Sequence, residues 1–326
     1  MKTCLILGGG GYVGYNWSRR LAAKKIFDRI ILADLRPPQL PLAEGCEFVL
    51  CDVKQPLQLG DMKPEWIFNF AAVHREPGHE KEEYFDTNLA GAKNVCAFAE
   101  QTGCKNILFT SSIAVYGSFA GGSESSKPIS ETSKPYPATP YGISKLCAEL
   151  IHKAWQRSAA GRRLLISRPG VIYGPGDPGN ILRMIRAVRK GYFIFPGSRN
   201  LRKSYGYIEG VLDSFEFVMA RDESLLTYNY VERETETLGA LVEIIQKYFG
   251  KKIPVFTAPL PLLVMVAKAA QVVTGGRSPI HPVRVRKTAS STYILPETLG
   301  KMGFNFKYDF AASLKDWAAK SPLDFS

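Results

Sequence analysis

Residues 4–14, Cys4-Leu5-Ile6-Leu7-Gly8-Gly9-Gly10-Gly11-Tyr12-Val13-Gly14, decide how the rest of the chain is read. An apolar run of strand character stops at Leu7 and gives way to glycines spaced GxxGxxG at Gly8, Gly11 and Gly14. That spacing serves a tight turn, a close approach of backbone to a pyrophosphate, and close packing of the following helix. The segment 13–24 has helical spacing, so the turn opens a helix whose first free N–H groups, around Tyr12 and Val13, face a phosphate. A glycine-rich turn alone says little. Here it follows the first strand, and Asp34 ends the second apolar run 20 residues after Gly14. A carboxylate there accepts the ribose hydroxyls and repels a 2′-phosphate, which favours NAD over NADP, while Arg36 pulls the other way. Asp52, behind the third apolar run and beside Val53, is a candidate for the adenine amino group and reads equally well as a solvated loop carboxylate.

Outward from this stretch, short apolar runs recur at 3–7, 30–33, 47–50, 66–70, 106–110 and 164–167, separated by helical spacing at 13–24, 88–101 and 144–157. Strand and helix in alternation predict a parallel sheet. Runs that are apolar throughout predict burial on both faces, the doubly wound α/β arrangement. Beyond about Pro169 the alternation loosens into Gly- and Pro-rich loops, a basic helix near 181–190, a segment 234–249 and an apolar helix after Pro261. The expected division is a dinucleotide-binding region over 1–170 and a smaller C-terminal α/β substrate-binding region over 171–326, interleaved with the first.

With 326 residues, 45% of them hydrophobic, the chain is long enough to bury a full core in one or two joined domains. Glycine breaks the apolar start too early for an export signal, and no run reaches the roughly 18 apolar residues of a membrane span. The six cysteines form no CxxC pair and the four histidines have no ligand spacing beside them. Reduced structural thiols, no metal site and a cytoplasmic protein are therefore expected. A formal charge of +12 suits an anionic partner such as a diphosphate or a lipid headgroup. The basic residues lack the aromatic companions of nucleic-acid readers, so no nucleic-acid partner is expected.

Tyr141-Gly142-Ile143-Ser144-Lys145 puts a phenol and an ammonium one helical turn apart on one face. Together with an oxidised nicotinamide, Lys145 lowers the phenol pKa and makes Tyr141 a general base for a substrate hydroxyl. Taken alone, the pair reads as readily as neighbours on a surface helix. Upstream, however, Phe109-Thr110-Ser111-Ser112 ends a strand 29 residues before the tyrosine, where a serine hydroxyl meets the reacting oxygen.

In the set GxxGxxG (Gly8, Gly11, Gly14), Phe70-Ala71-Ala72, Asn88, Thr110-Ser111-Ser112-Ile113-Ala114-Val115-Tyr116-Gly117, Tyr141/Lys145 and Arg168-Pro169-Gly170-Val171-Ile172-Tyr173-Gly174, the chain resembles the extended short-chain dehydrogenases, the NAD-dependent epimerase/dehydratase family. The resemblance covers nearly the whole chain and implies a Rossmann-like fold with NAD as cofactor. It implies Ser112, Tyr141 and Lys145 as the catalytic triad, Ala71 and Ala72 on the nicotinamide side, Arg168 among the cofactor contacts and Asn88 as a structural asparagine. It also implies a homodimer paired through 88–101 and 141–157. The sugar 4,6-dehydratases of the family carry an Asp-Glu pair after the catalytic Thr, where this chain has Ile113-Ala114, so an elimination lacks its acid and base. Epimerisation needs only the triad and retained NAD. A 4-keto-sugar reductase uses the same triad with exchangeable cofactor, and a 3β-hydroxysteroid-like dehydrogenase shares the fold. A non-catalytic dinucleotide-binding protein often loses the tyrosine or lysine kept here.

Three segments resemble a narrower group: Ala71-Ala72-Val73-His74-Arg75-Glu76, Lys203-Ser204-Tyr205-Gly206-Tyr207-Ile208 and Pro282-Val283-Arg284-Val285-Arg286-Lys287. They are similar to bacterial 4-epimerases of surface-polysaccharide synthesis that act on N-acetylhexosamine attached to a nucleotide or to polyprenyl diphosphate. By that likeness Lys203 replaces an arginine that grips the diphosphate, and Asn180 falls where a backbone-positioning asparagine sits. Arg284 and Arg286 alternate along a predicted strand and would share one face toward phosphate, or be simply solvated. His74-Arg75 sits at the expected rim of the site, as a substrate contact or a surface pair. The stretch 259–274, PLPLLVMVAKAAQVVT, reads as a core-packed helix. If exposed, it would suit a lipid-linked substrate and a peripheral contact at the inner face of the membrane.

Overall fold

Along the first half of the chain run β1 (Thr3–Leu7), α1 (Tyr12–Ala23), β2 (Arg29–Asp34), β3 (Cys46–Leu50), β4 (Trp66–Asn69), α2 (Lys81–Thr102), β5 (Asn106–Thr110), α3 (Pro140–Arg157) and β6 (Arg163–Pro169). The remainder holds β7 (Val171–Tyr173), α4 (Asn180–Lys190), β8 (Ile194–Pro196), β9 (Tyr205–Tyr207), α5 (Ile208–Met219), β10 (Leu225–Tyr230), α6 (Leu238–Tyr248), β11 (Phe256–Ala258), α7 (Leu260–Val273), α8 (Pro282–Thr288), α9 (Glu297–Lys301) and α10 (Phe310–Lys320). This computed structural model describes residues 1–74, 78–117, 127–177, 179–276 and 281–325, apart from the side chains of Arg284 and Lys287.

The central sheet has the order β10-β6-β5-β4-β1-β2-β3, and every neighbouring pair is parallel. Strand order reverses at β1, with β2 on one side and β4 on the other, so the carboxyl ends of β1 and β4 flank the crevice in which such sheets bind ligands. All five residues of β1 are buried. Their side chains alternate between two cores, Cys4 and Ile6 with Trp17, Phe215 and Trp317, Leu5 and Leu7 with Val95, Phe98 and Trp155. Helices thus cover both faces, as the continuously apolar strands predict. The seventh strand, β10, comes from beyond residue 170, and α5 lies against α1, where Arg20 pairs with Glu209, Asp213 and Glu216. Residues beyond 170 thus complete the central sheet and part of its helical cover. Their own sheet structure is two short parallel pairs, β7 with β9 and β8 with β11.

Two expectations are corrected. Arg284 and Arg286 do not alternate along a strand: Pro282–Thr288 is the helix α8. Proline at the first helical position presets φ and lacks only an N–H that the first turn leaves unbonded anyway. The apolar helix α7 is not core-packed; it buries only Val264 and Ala267, and Leu262, Met265, Val266, Val272 and Val273 are exposed. Among the described residues no helix is long and apolar enough to cross a membrane, and the six cysteines are unpaired.

Candidate active site

At the β1–α1 turn, Gly8 and Gly9 both donate to the Ala33 carbonyl of β2, which ties the loop to the switch point. Gly8 has φ 76, and a Cβ there would lie 2.7 Å from the Ala71 nitrogen; at Gly14 it would lie 2.3 Å from the Gly8 carbonyl oxygen. Neither position admits another residue, so β4, the loop and α1 close on one another. Gly11 is the N-cap of α1 and offers no side-chain cap, which leaves the first-turn N–H groups of Tyr12, Val13 and Gly14 open to a diphosphate. Asp34 is locked beside them: one carboxylate oxygen accepts the Gly10 N–H at 3.0 Å and the other the Leu35 N–H at 2.6 Å. Asp52 closes a local turn onto the Lys54 N–H at 2.9 Å, with Val53 buried beneath α2. Uncapped amides, a fixed carboxylate at the end of β2 and Ala71-Ala72 after β4 together fit a dinucleotide.

Asn88 joins the cofactor side to the catalytic helix. Its carbonyl oxygen accepts the Val73 N–H at 3.0 Å, and its amide donates to the Val73 carbonyl at 3.2 Å and to the Ser144 hydroxyl at 2.8 Å. The segment following β4 is thereby pinned one residue before Lys145. Helix α3 starts where it does because Thr139 accepts the Gly142 N–H at 3.2 Å and Pro140 stands in the first turn. Tyr141 and Lys145 then point to one side, i and i+4, as expected. Ser112 ends the extended segment after β5, and its hydroxyl accepts the Ala114 N–H at 3.1 Å, which holds the residue at the sheet's carboxyl edge.

Lys145 is buried, donates to the Thr110 carbonyl at 2.7 Å, and lies 4.8 Å from the centroid of the Phe109 ring. Burial brings its pKa down to about 7, opposed by the Glu149 carboxylate. A second layer stands behind it, in which Glu149 and Asn229 join Arg168 and Tyr116 of the family motifs. Arg168 donates to both oxygens of Glu149, at 2.8 and 2.6 Å, and to the Tyr116 hydroxyl at 2.8 Å; Tyr116 donates in turn to Asn229 at 2.9 Å. Burial pushes the Glu149 pKa up, but Arg168 overrides this and holds it below the usual carboxylate range. The guanidinium is committed to this network and props Glu149 beneath the site. Glu149 and His152 had a signal: they continue the helical stripe of Tyr141 and Lys145 at i+4 and i+7 from the lysine.

The substrate candidates are spread more widely. His74 is exposed at the end of the segment pinned by Asn88; Arg75 and Glu76 lie outside the described residues. Lys203, after the β8 loop, donates to the Ser290 carbonyl, and burial lowers its pKa to about 8. Asn180 is the exposed first residue of α4 and accepts from Arg183 at 2.6 Å. Arg284 is placed on α8, its side chain outside the described set, and Arg286 is exposed on the same helix.

A glycine turn for a diphosphate, a fixed acid for a ribose, and a serine, tyrosine and lysine at the same sheet edge define a dinucleotide-dependent enzyme acting on an alcohol. The model of the NAD dependent epimerase/dehydratase family matches residues 4–230, and the chain belongs to that family; its cofactor is NAD. It is 30% identical over 264 residues to the N-acetyl-alpha-D-glucosaminyl-diphospho-ditrans,octacis-undecaprenol 4-epimerase of Escherichia coli O157:H7, covering 76% of this chain and 78% of that one. It is 27% identical over 284 residues to the UDP-glucose 4-epimerase of Streptococcus mutans, covering 77% and 82%. In fold it is similar to the UDP-glucuronic acid 4-epimerase of Bacillus cereus solved with NAD, at a TM-score of 0.75, 15% identity, and 99% and 100% coverage.

Proposed function

We propose that this protein is an NAD-dependent 4-epimerase of a diphosphate-linked N-acetylhexosamine, working through a transient 4-keto sugar in bacterial polysaccharide synthesis. The observation that carries the reading is the complete Ser112, Tyr141 and Lys145 set at one sheet edge, with apolar Ile113-Ala114 where an elimination would need acids. NAD bound in the cradle supplies a reversible hydride acceptor. Tyr141 takes the proton of the sugar's 4-hydroxyl and returns it after the ketone has presented its other face. Lys145, held by Thr110, favours the phenolate by its charge, and Ser112 donates to the reacting oxygen. Asn88 keeps the segment after β4 and the catalytic helix in register through both half-reactions.

Lys203 supports a diphosphate contact, and the E. coli relative's substrate favours a polyprenyl over a nucleotide carrier. A lipid carrier supports a place in the cytoplasm at the membrane's inner face. The family resemblance supports a homodimer paired through α2 and α3. On α3, Ile143, Cys147, Leu150 and Ala154 make a partly exposed apolar stripe at i, i+4, i+7 and i+11.

The test is to denature the protein and identify the released dinucleotide, then incubate native protein with UDP-N-acetylglucosamine and with its polyprenyl-diphosphate counterpart without added reductant. Retained NAD with interconversion of the C4 epimers is the expected result. An empty site, with turnover only of a keto sugar and reduced cofactor, would replace the epimerase by a reductase. Tyr141→Phe should lower kcat by roughly a thousandfold while leaving the NAD content unchanged.

A further inference from the structure

The helix α7 departs from how helices of a soluble fold present themselves. Leu262, Met265, Val266, Ala269, Val272 and Val273 fall within one third of its circumference, at i, i+3, i+4, i+7, i+10 and i+11, and all are exposed, Met265 to 61% and Val273 to 86%. The outward face is therefore apolar, the reverse of ordinary amphipathic order, and it is continuous rather than a scatter of single side chains. Between α7 and α8 lies an open groove of about 430 Å³ lined by Leu260, Pro261, Val264, Met265, Lys268 and Arg286. Two cations thus sit against an apolar wall.

The surrounding sequence is equally one-sided. From residue 244 to residue 296 there is no Asp or Glu, but there are eight Lys or Arg: Lys247, Lys251, Lys252, Lys268, Arg277, Arg284, Arg286 and Lys287. This stretch of 53 residues carries +8 of the chain's formal +12. A second copy of the chain is a poor occupant, because a two-fold pairing through this face would bring like charges together around the apolar patch. An uncharged partner leaves the cations unused. An anionic lipid bilayer uses both features, taking the apolar stripe into the boundary between headgroups and acyl chains and the cations onto the phosphates.

We propose that α7, with Lys268 and Arg286 beside it, is a docking face for an anionic bilayer. The chain passes from α8 to Ser290, whose carbonyl holds Lys203, so a docked face connects through one short segment to the candidate diphosphate contact. The inference deepens the reading of a lipid-linked substrate, but vesicle binding is measured without substrate and stands or falls independently.

The test is co-sedimentation of the NAD-loaded protein with vesicles of phosphatidylcholine containing phosphatidylglycerol, and with phosphatidylcholine alone, across a salt series. Wild type is expected to partition onto the anionic vesicles about tenfold more strongly, with the preference declining as salt rises. The double variant Met265→Glu/Val266→Glu should lose that binding by about tenfold, and Lys268→Ala/Arg286→Ala should lose the lipid preference, both with unchanged circular dichroism and NAD content. Equal binding by wild type and the Met265→Glu/Val266→Glu variant would overturn the proposal. So would a halved solution mass for that variant, which would make the face a contact between copies. Epimerisation of UDP-N-acetylglucosamine in lipid-free buffer is scored separately: protein that binds anionic vesicles without turning over sugar keeps the docking face and removes the reaction.

Discussion

His152 shows what the catalytic stripe demands of a single residue. It is fully buried behind Lys145, stacked on Phe109 with ring centroids 4.3 Å apart. Its Nδ1 donates to the Ala148 carbonyl at 2.8 Å, which leaves Nε2 to accept from the Asn69 amide at 3.3 Å, the pattern of a neutral ring. Burial lowers its pKa to about 4, helped by the Lys145 charge and opposed by the Ala148 carbonyl and Glu149. The unfolded chain takes up a proton on this ring below about pH 6.5, the folded chain only below about 4. Stability contributed by His152 is therefore present above the unfolded value and is lost as pH falls from about 6.5 to 4, by roughly 3 kcal/mol in all. Urea midpoints at pH 7 and pH 4.5 measure this. His152→Gln should show a shallower fall than wild type, and parallel falls would remove the residue from the account. The signal for this ring lay in its place on the α3 stripe. Its partners Asn69 and Phe109 could not be read ahead, because they lie 83 and 43 residues before it and arrive through strand pairing.

At the scale of elements, the pair Arg168–Glu149 fastens the end of β6 to the middle of α3. The side chains are 4% and 0% exposed, and the guanidinium extends the link through Tyr116 and Asn229 to β10. Removing Arg168 leaves the buried Glu149 carboxylate with Lys153, 3.6 Å away, and Lys145 as its remaining counterions. Arg168→Met is expected to cost about 3–5 kcal/mol, whereas Arg168→Met/Glu149→Leu should recover much of it, since the burial penalty goes with the charges. Thermal unfolding of the two variants decides the matter: a single substitution costing under about 1 kcal/mol, or no recovery in the double, would show that the pair is not the fastening. Elements were legible where local rules agree with tertiary need, as in the glycine turn and the apolar strands. They were missed where only one rule spoke. The segment 88–101 looked helical, but α2 begins at Lys81, where Glu80 and Glu83 form a capping box ahead of any apolar period. Arg284 and Arg286 have the period of a strand, yet proline in front of them starts a helix. For α7 the helix was readable but its environment was not. Composition says that a helix is apolar; only the tertiary arrangement says that little of the protein covers it.

Among the described residues, α3 and α7 each present an exposed apolar helix face, and their surroundings favour different proposed partners. The α3 stripe of Ile143, Cys147, Leu150 and Ala154 runs along the outer side of the helix that bears Tyr141 and Lys145, and Leu150 is 58% exposed. The nearby charges on α2 and α3 have both signs, including Glu82, Glu83, Lys93 and Lys153, so a two-fold copy of this surface meets no uniform repulsion. The α7 face, with Lys268 and Arg286 beside it, suits instead the anionic bilayer proposed above. If both assignments hold, their variants must separate. Leu150→Glu places two carboxylates in the pair interface and should weaken self-association about a hundredfold, or about 3 kcal/mol, so that sedimentation at micromolar concentration shows a monomer. The same protein should still bind anionic vesicles, though more weakly per chain because one docking face replaces two. Met265→Glu/Val266→Glu should do the reverse, keeping the dimer mass and losing the vesicles. A wild-type protein that sediments as a monomer would leave the α3 stripe without its partner. A Leu150→Glu monomer with vesicle binding as tight as the wild type's would mean that the two α7 faces do not engage one membrane together.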